Sequence, residues 1–524
     1  MKPTMFFLMN SIDLARGGLT RASLKQASTF AGMGYKTYML TFNFNPRYPI
    51  IRNKLVKMNK IHKDVIIRNM YEELGGHSNP LALHSPSKKA SLTELSRGHA
   101  LDKREGHNAY RVYENGMYTK YISLNDDDSL NFIDYFNESR YRTKRETYDL
   151  WGNLKKIAYM DYSLNAPRQL IYYNNKGKAF LAQWNNPNND KVQRILLFDD
   201  NLSITDTYVN DDTSHKVKWL KYIIDNFGGE KSVVVSDTRS TDDVLAKFSH
   251  PDAAKIWRLH SSHLKKPYTF DAEIATKVKL GFENMDKFDA AVFLTEEQKN
   301  DVIQRVGEKS NFKVIPHYHE YSAKPFQQTI KSIMSTTTRN EKLGVIVSRL
   351  STLKQINHVV EAFGMVVDKI PDAKLEIWGT GDQESNLKDL INKMKLKENI
   401  FLKGYTHYPD QIYKQGLFSI LTSKSEGFAL SVLESMYNKT PVISYKTKYG
   451  PTDMIVDKEN GFLIEKNNIE ELANKMIYMF EHPEDAKKMG IKAKKYIDTY
   501  FNKDIYIQKW LEVVDEVMVK KFNG

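Results

Sequence analysis

Ser425-Glu426-Gly427-Phe428-Ala429-Leu430-Ser431-Val432-Leu433-Glu434-Ser435-Met436 follows an apolar run, Leu417-Phe418-Ser419-Ile420-Leu421. The run reads as a short buried strand, and Leu430 to Tyr437 reads as a helix. Between them lies a glycine turn with one carboxylate, Glu426, and a second carboxylate, Glu434, sits within the helix. A helix start presents unpaired amides and a partial positive charge, which suits phosphate. Gly427 lets a ligand approach the backbone, and Glu434 can accept hydrogen bonds from sugar hydroxyls. Read alone, the stretch fits a packing turn with a solvated helix glutamate equally well.

Outward from it, the same half of the chain repeats strand, loop and helix. Leu343 to Val347 is a strand, followed by Ser348-Arg349-Leu350-Ser351-Thr352-Leu353-Lys354 and a helix from His358 to Lys369. Leu375 to Trp378 leads to Gly379-Thr380-Gly381, and Ile400 to Lys403 leads to Gly404-Tyr405. Val442-Ile443-Ser444 leads to Lys448-Tyr449-Gly450-Pro451-Thr452-Asp453. The pattern predicts an α/β domain over 323–500, entered by a polar stretch from Ser322 to Arg339 and closed by a last helix within 501–524. Arg349 and Lys354 suit a diphosphate, Arg through its fork of donors.

The amino-terminal part begins with the same rhythm. Thr4 to Met9 is a strand, Gly17-Gly18 opens a helix running to about Met33, and Thr37 to Thr41 is a strand. The glycine pair lacks the spacing of a dinucleotide fingerprint and fits a tight turn. The pattern resumes near Val217, with strands Ser232 to Ser236, Lys255 to Leu259, Ala290 to Leu294 and Phe312 to Pro316. Asp237, His260 and Thr295 fall at strand ends, where α/β sheets bind ligands. This predicts one Rossmann-like domain in two parts, 1–76 and 214–322. Between them, 77–213 reads as a tyrosine-rich antiparallel β insertion, with an Asn115-Gly116 hairpin and short strands from Ala158, Gln169, Ala179 and Arg194. Such a sheet suits self-association, recognition of an extended ligand, or decoration of the domain. Two Rossmann-like domains predict a cleft between them.

Composition narrows the partners. A chain of 524 residues is too long for one ordinary core. The short apolar start after Lys2 reads as a strand and not a signal peptide, and no apolar run reaches the length of a membrane span. With 0 cysteines there are no disulfides, thiolate metal sites or cysteine nucleophiles, which fits an intracellular setting. A net charge of +13 favours polyanions: nucleic acid, an anionic membrane face or a phosphate-rich polymer. No nucleic-acid-binding signature is present, so nucleic acid is disfavoured.

The order Ser348-Arg349-Leu350 with Lys354, Gly379-Thr380-Gly381, Lys403-Gly404-Tyr405, Glu426 with Glu434, and Gly461-Phe462-Leu463 resembles the retaining glycosyltransferases of family 4, of GT-B fold. Gly17-Gly18-Leu19-Thr20, Gly116, His260-Ser261-Ser262-His263, Lys403-Gly404-Tyr405-Thr406 and Lys448 to Asp453 are similar to the wall teichoic acid α-glycosyltransferases of the TarM/TagE type. The resemblance implies a UDP-sugar donor, glucose or N-acetylglucosamine, and a poly(glycerol-phosphate) or poly(ribitol-phosphate) acceptor.

It further implies that Arg349 and Lys354 bind the diphosphate and Glu434 the ribose. Glu426 and the amides of Phe428, Ala429, Leu430 and Ser431 face sugar and phosphates, with Gly379 beside them. Gly17 and Gly18 close over the donor, Tyr405 lies by the uracil, and His260 faces the sugar ahead of His263. His263, Lys448 and Tyr449 are the acceptor-side candidates. The last helix, with Trp510, crosses back to the first domain. Gln355 departs from the glycine or basic residue that follows the lysine in many relatives. Transfer with retention then needs no metal or other cofactor. No Asp-x-Asp stands at a donor position, and Asp126-Asp127-Asp128 reads as a solvated turn. A cytoplasmic enzyme is implied, at the inner membrane face and trimeric through the insertion. The rivals are a transferase acting on Ser/Thr-rich adhesins and a non-catalytic polyanion-binding scaffold.

Overall fold

The computed structural model describes residues 2–14, 18–76, 86–320 and 339–522. The chain forms two compact units, Met1–Ser236 with Ser240–Ala253, and Asp237–Arg239 with Ala254–Gly524.

In the first unit the strand Thr4–Met9 is buried along its whole length. Its continuous apolar run is what a parallel strand covered on both faces requires. It pairs in parallel with Thr37–Thr41 on one side and Ser232–Ser236 on the other, and Val65–Asn69 extends the sheet beyond Thr37–Thr41. The helix Gly18–Gly32 makes the first crossover.

The insertion is one antiparallel meander of ten strands, from Ala100–Lys103 to Ile204–Val209, each paired with the next in sequence. Asn115 and Gly116 take φ of 48° and 82°, the paired left-handed conformations that an Asn-Gly hairpin supplies. Several strands begin earlier than hydropathy suggests. Leu154–Asp161 opens on Leu154-Lys155-Lys156, whose lysines look like loop residues. Lys155 reaches Asp149, and Lys156 lays its ammonium 4.6 Å from the Phe44 ring centre. Arg142–Tyr148 is polar throughout, yet Asp134 on the neighbouring strand takes Arg145 at 2.7 Å. Cross-strand charge pairs stabilise such a strand in place of apolar contacts. One cluster, including Met160, Tyr172 and Phe180, packs on Phe44, Tyr71 and Leu74 from outside the insertion. The other, around Val112, Ile122 and Ile133, is fed by residues of the insertion alone.

In the second unit Ala290–Phe293 pairs in parallel with Ala253–Arg258 and with Phe312–Val314. The last helix, Lys503–Phe522, lies against these strands. Trp510 is fully buried, the Arg258 guanidinium sits 5.2 Å from its ring centre, and Glu516 pairs with Lys313. The remaining strands form a six-stranded parallel sheet. Its order is Ile400–Gly404, Lys374–Trp378, Asn340–Val347, Gly416–Leu421, Val442–Tyr445, Gly461–Ile464. Numbered along the chain this is 3-2-1-4-5-6, the doubly wound order. The order reverses between Asn340–Val347 and Gly416–Leu421. The loops leaving those two strands carry Arg349 with Lys354, and Glu426 with Gly427.

Trp510 holds the last helix, so Trp510→Ala is expected to cost about 3–5 kcal/mol of stability, the usual loss for a buried tryptophan. Urea unfolding of the two proteins, followed by circular dichroism, checks this; a midpoint within error of the parent removes the helix from the stabilising core.

Candidate functional site

The two loops at the switch point are tied together by hydrogen bonds. Thr422 donates its hydroxyl to the carbonyls of Lys354 and Gln355 at 2.9 and 3.1 Å, and the Lys424 amide donates to Leu353 at 2.8 Å. The Lys354 ammonium pairs with the Glu426 carboxylate. On its other side the turn is strapped to residues 448 and 449. The Glu426 amide donates to the Lys448 carbonyl, and the Tyr449 amide donates to the Glu426 carbonyl, both at 3.0 Å. Gln355 holds φ at 46°, a left-handed value at which glycine is the common choice. Its side chain amide is held instead by Asn467 at 3.0 Å and His358 at 3.2 Å.

The helix Leu430–Tyr437 starts on Ala429, which takes φ 63° and ψ 65°. Among the described residues the backbone amides of Phe428, Ala429, Leu430 and Ser431 have no hydrogen-bond acceptor. Four amide donors at a helix start are an anion cradle. Glu434 lies farther into this helix at 6% exposure. Gly427 is dictated by contact, since a Cβ there would stand 2.1 Å from the His260 carbonyl oxygen.

His260 follows the strand Ala253–Arg258. Its Nε2 lies 2.8 Å from Asp237 Oδ1, and a carboxylate oxygen accepts, so Nε2 carries the proton. Nδ1 is then the ring atom with a free lone pair. Burial, with the Arg258 charge next, pushes the imidazole down to about 4, against the pull of Asp237. The ring stacks on His317 at 5.3 Å, and His317 meets the Phe428 ring edge-on at 5.3 Å. Thr295 caps its helix by accepting from the Gln298 amide at 3.1 Å. The Gln298 side chain does not complete a capping box but donates to the Ser261 carbonyl at 2.9 Å, fixing the His260 loop.

Arg349 is exposed and has no carboxylate partner among the described residues. Its loop runs along Gly379 and Gly381, where a Cβ would stand 1.8 Å from the Ser348 carbonyl and 2.0 Å from that of Leu350. The Gly379 amide donates to the Gly404 carbonyl at 2.7 Å, which sets Tyr405, 45% exposed, beside the same loops. Burial lowers the Lys277 pKa, and the charges of Arg239 and Arg349 lower it further. Lys277, Arg239 and Arg349 therefore share one field of positive potential.

The acceptor-side candidates of the sequence are Tyr449, Lys448 and His263. Tyr449 is 0% exposed and gives its hydroxyl to Asp301 at 2.7 Å. Lys448 pairs with Asp301 at 2.8 Å and Glu297 at 3.3 Å. His263 is fully buried, stacked on Tyr449 at 5.8 Å, and burial pushes its pKa to about 4. Tyr449 and His263 are thus buried and Lys448 is half-buried, each with partners inside the chain. Gly17 lies outside the described residues, and Gly18 opens its helix in the first unit. Sequence reading did not single out His317, Arg239 or Lys277. A histidine after Pro316 at a strand end was the available signal for the first; nothing local marks the two cations.

Residues 330–496 match the family described as Glycosyl transferases group 1. The fold matches a crystal structure of a Staphylococcus aureus TarM variant in complex with fondaparinux, α-GlcNAc-glycerol and UDP. The TM-score is 0.81 at 23% identity, over 98% of this chain and 99% of that one. The fold is GT-B, and the chain is a glycosyltransferase.

More particularly, it is similar over 98% of its length, at 28% identity, to the poly(glycerol-phosphate) α-glucosyltransferase of Bacillus subtilis (strain 168), of which it covers 75%. It is 25% identical, over 97% of its length and 99% of the relative, to the poly(ribitol-phosphate) α-N-acetylglucosaminyltransferase of Staphylococcus aureus (strain COL). The resemblance read from the sequence holds along the whole chain.

Two expectations follow from this geometry. Gly427→Ala forces the turn away from the His260 loop, and a displacement of about 1 Å in a positioned site costs on the order of 10²-fold in rate. Transfer assays with circular dichroism on the variant test this; full activity would show that the close approach is dispensable. An imidazole held at about 4 stays neutral as pH falls to about 5. The kcat profile should therefore show no titration near the ordinary histidine value, and a step there that disappears in His260→Gln would contradict the assignment.

Proposed function

We propose that the chain transfers a hexose, glucose or N-acetylglucosamine, from a UDP-sugar to hydroxyls of poly(glycerol-phosphate) or poly(ribitol-phosphate) teichoic acid, with retention. The observation that carries this reading is the switch point itself. The Lys354 ammonium, the unpaired Arg349 guanidinium and the open amides of Phe428 to Ser431 surround the strand ends where a doubly wound sheet takes a nucleotide. The two full-length relatives, named for glycerol-phosphate and ribitol-phosphate polymers, supply the acceptor class. The net charge of +13 suits a polyanion.

On this reading the donor diphosphate takes Lys354 from Glu426 and sits on the open amides. Arg349 and Lys354 stabilise the charge that develops as UDP leaves. Glu434 accepts from the ribose hydroxyls, and Tyr405 lies along the uracil. Glu426, released from its lysine, faces the sugar together with His260, whose Nδ1 accepts from a sugar hydroxyl. No carboxylate is assigned as a covalent nucleophile. The acceptor hydroxyl attacks from the side on which UDP departs, and a β-phosphate oxygen takes its proton. Catalysis is then positioning and electrostatic stabilisation. The cations and amides stand in the role a metal would fill, so none is required. The enzyme works at the cytoplasmic face of the membrane, as a homotrimer joined through the insertion.

Arg349→Ala and Lys354→Ala are each expected to lower kcat by about 10²–10³-fold, the effect of losing one transition-state donor. The test is UDP release from UDP-glucose and UDP-N-acetylglucosamine against both polymers, with the anomer of the product read by NMR. Unchanged turnover in both variants, or no release with any pair, would sink the proposal. Full activity after chelation with EDTA is expected, and loss restored by a divalent ion would reassign the charge stabilisation. Sedimentation of the full chain should give three times its sequence mass.

A further inference from the structure

A cavity lies in the first unit. It is a shallow cleft that encloses about 50 Å³ and opens to solvent at its mouth. One wall comes from the Rossmann-like segment, with Phe44, Arg52, Arg68 and Tyr71. The other comes from the insertion, with Asp149, Trp151, Lys155, Tyr173 and Phe180.

Its chemistry differs from that of the donor half. Three cations line it, and each faces a carboxylate. Arg52 makes a two-point pair with Glu72 at 2.7 and 3.1 Å, Arg68 pairs with Glu73, and Lys155 lies 3.7 Å from Asp149. Three cations against three carboxylates leave no net charge in the lining. A phosphate has no free cation to meet here. What the lining offers is aromatic surface from Phe44, Tyr71, Trp151, Tyr173 and Phe180, edged by fixed polar groups.

The rings are held in place. Phe44 and Tyr71 meet edge-on at 5.8 Å, and both pack on Tyr172, at 5.2 and 4.7 Å. Asp149 accepts from the Trp151 and Asn153 amides at 3.0 and 2.9 Å, which fixes the turn presenting the indole. An ionised carboxylate accepts about four hydrogen bonds and a two-point arginine uses two, so the glutamates keep lone pairs for hydroxyls. Flat apolar faces with orienting acceptors and no net charge suit a neutral pyranose ring.

We propose that this pocket is a second saccharide site, separate from the donor half. Its natural occupant is a hexosyl group already attached to the polymer, so that modified units are held while further units are glycosylated. The identity of the occupant rests on the proposed function, whereas binding of a neutral sugar does not.

The probes are methyl α-D-glucopyranoside and methyl N-acetyl-α-D-glucosaminide, followed by saturation-transfer NMR on the full chain. The proteins are the parent, Lys354→Ala, Trp151→Ala and Tyr173→Ala, with melting curves as a fold control. Saturation of one sugar is expected to persist in Lys354→Ala and to fall at least about 5-fold in the two aromatic variants, the scale of one lost ring contact. UDP release with a short acceptor should be unchanged in Trp151→Ala and Tyr173→Ala. No saturation in the parent, or equal saturation in the aromatic variants, overturns the site. With polymers, glycosylated teichoic acid should bind the parent more tightly than the bare polymer, and the difference should vanish in Trp151→Ala. Equal binding by the parent overturns the assigned occupant. Failure of transfer to any teichoic acid would strike the proposed function and leave the sugar titration readable.

Discussion

A methyl group on Gly427 would stand 2.1 Å from the His260 carbonyl, and one on Gly450 would stand 1.9 Å from the Phe428 carbonyl. On the other side of the switch point the same holds for Gly379 against Ser348 and Gly381 against Leu350, at 1.8 and 2.0 Å. Five loops therefore meet in close backbone contacts with no side chain between them. This contact fixes the distance between the His260 loop, the Glu426 turn and the helix start at Leu430. It also explains why the amides of Phe428 to Ser431 are open. A chain that turns this tightly into a helix, through a left-handed Ala429, has no preceding residue placed to cap them.

The charges follow from that frame. Lys354 cannot leave its loop, because the hydroxyl of Thr422 holds the Lys354 carbonyl. Its ammonium is thus confined near Glu426, with which it pairs. Arg349 has no such partner, and Lys277 feels Arg239 and Arg349 as like charges. Like charges held this close oppose one another, and an anion bound among them relieves that repulsion. A neutral His260 beside them adds an acceptor and no further positive charge.

Much of this was legible because parallel strands covered on both faces read as unbroken apolar runs. Thr4–Met9, Thr37–Thr41 and Ser232–Ser236 match their expected limits, as does the helix Leu430–Tyr437. The polar strands of the insertion were not legible. Arg142–Tyr148 is stabilised by ion pairs of Arg142 and Arg145 with Asp134 on the neighbouring strand, and no local pattern announces them. Lys155 and Lys156 hide in the same way, since a lysine stem can be buried while its ammonium finds a partner or a ring. Gln355 shows the converse. The resemblance implies a glycine or a basic residue there, and the glutamine found instead is held by His358 and by Asn467, 112 positions away in sequence.

The loop from Lys448 to Asp453 shows how a motif can carry structural contacts of its own. Its side chains have partners within the chain, Lys448 with Glu297 and Asp301, Tyr449 with Asp301 and His263, and Thr452 with Glu297 at 3.1 Å. Only its backbone faces the turn, where it takes the Glu426 amide and gives an amide to the Glu426 carbonyl. Glu426 is thus aimed by two peptide groups whose own positions are set by an ion pair on the helix Glu296–Val306. A sequence pattern cannot distinguish a residue that contacts substrate from one that fixes the peptide beside it. Burial adds what the pattern lacks: Tyr449, at 0% exposure, has its hydroxyl on Asp301.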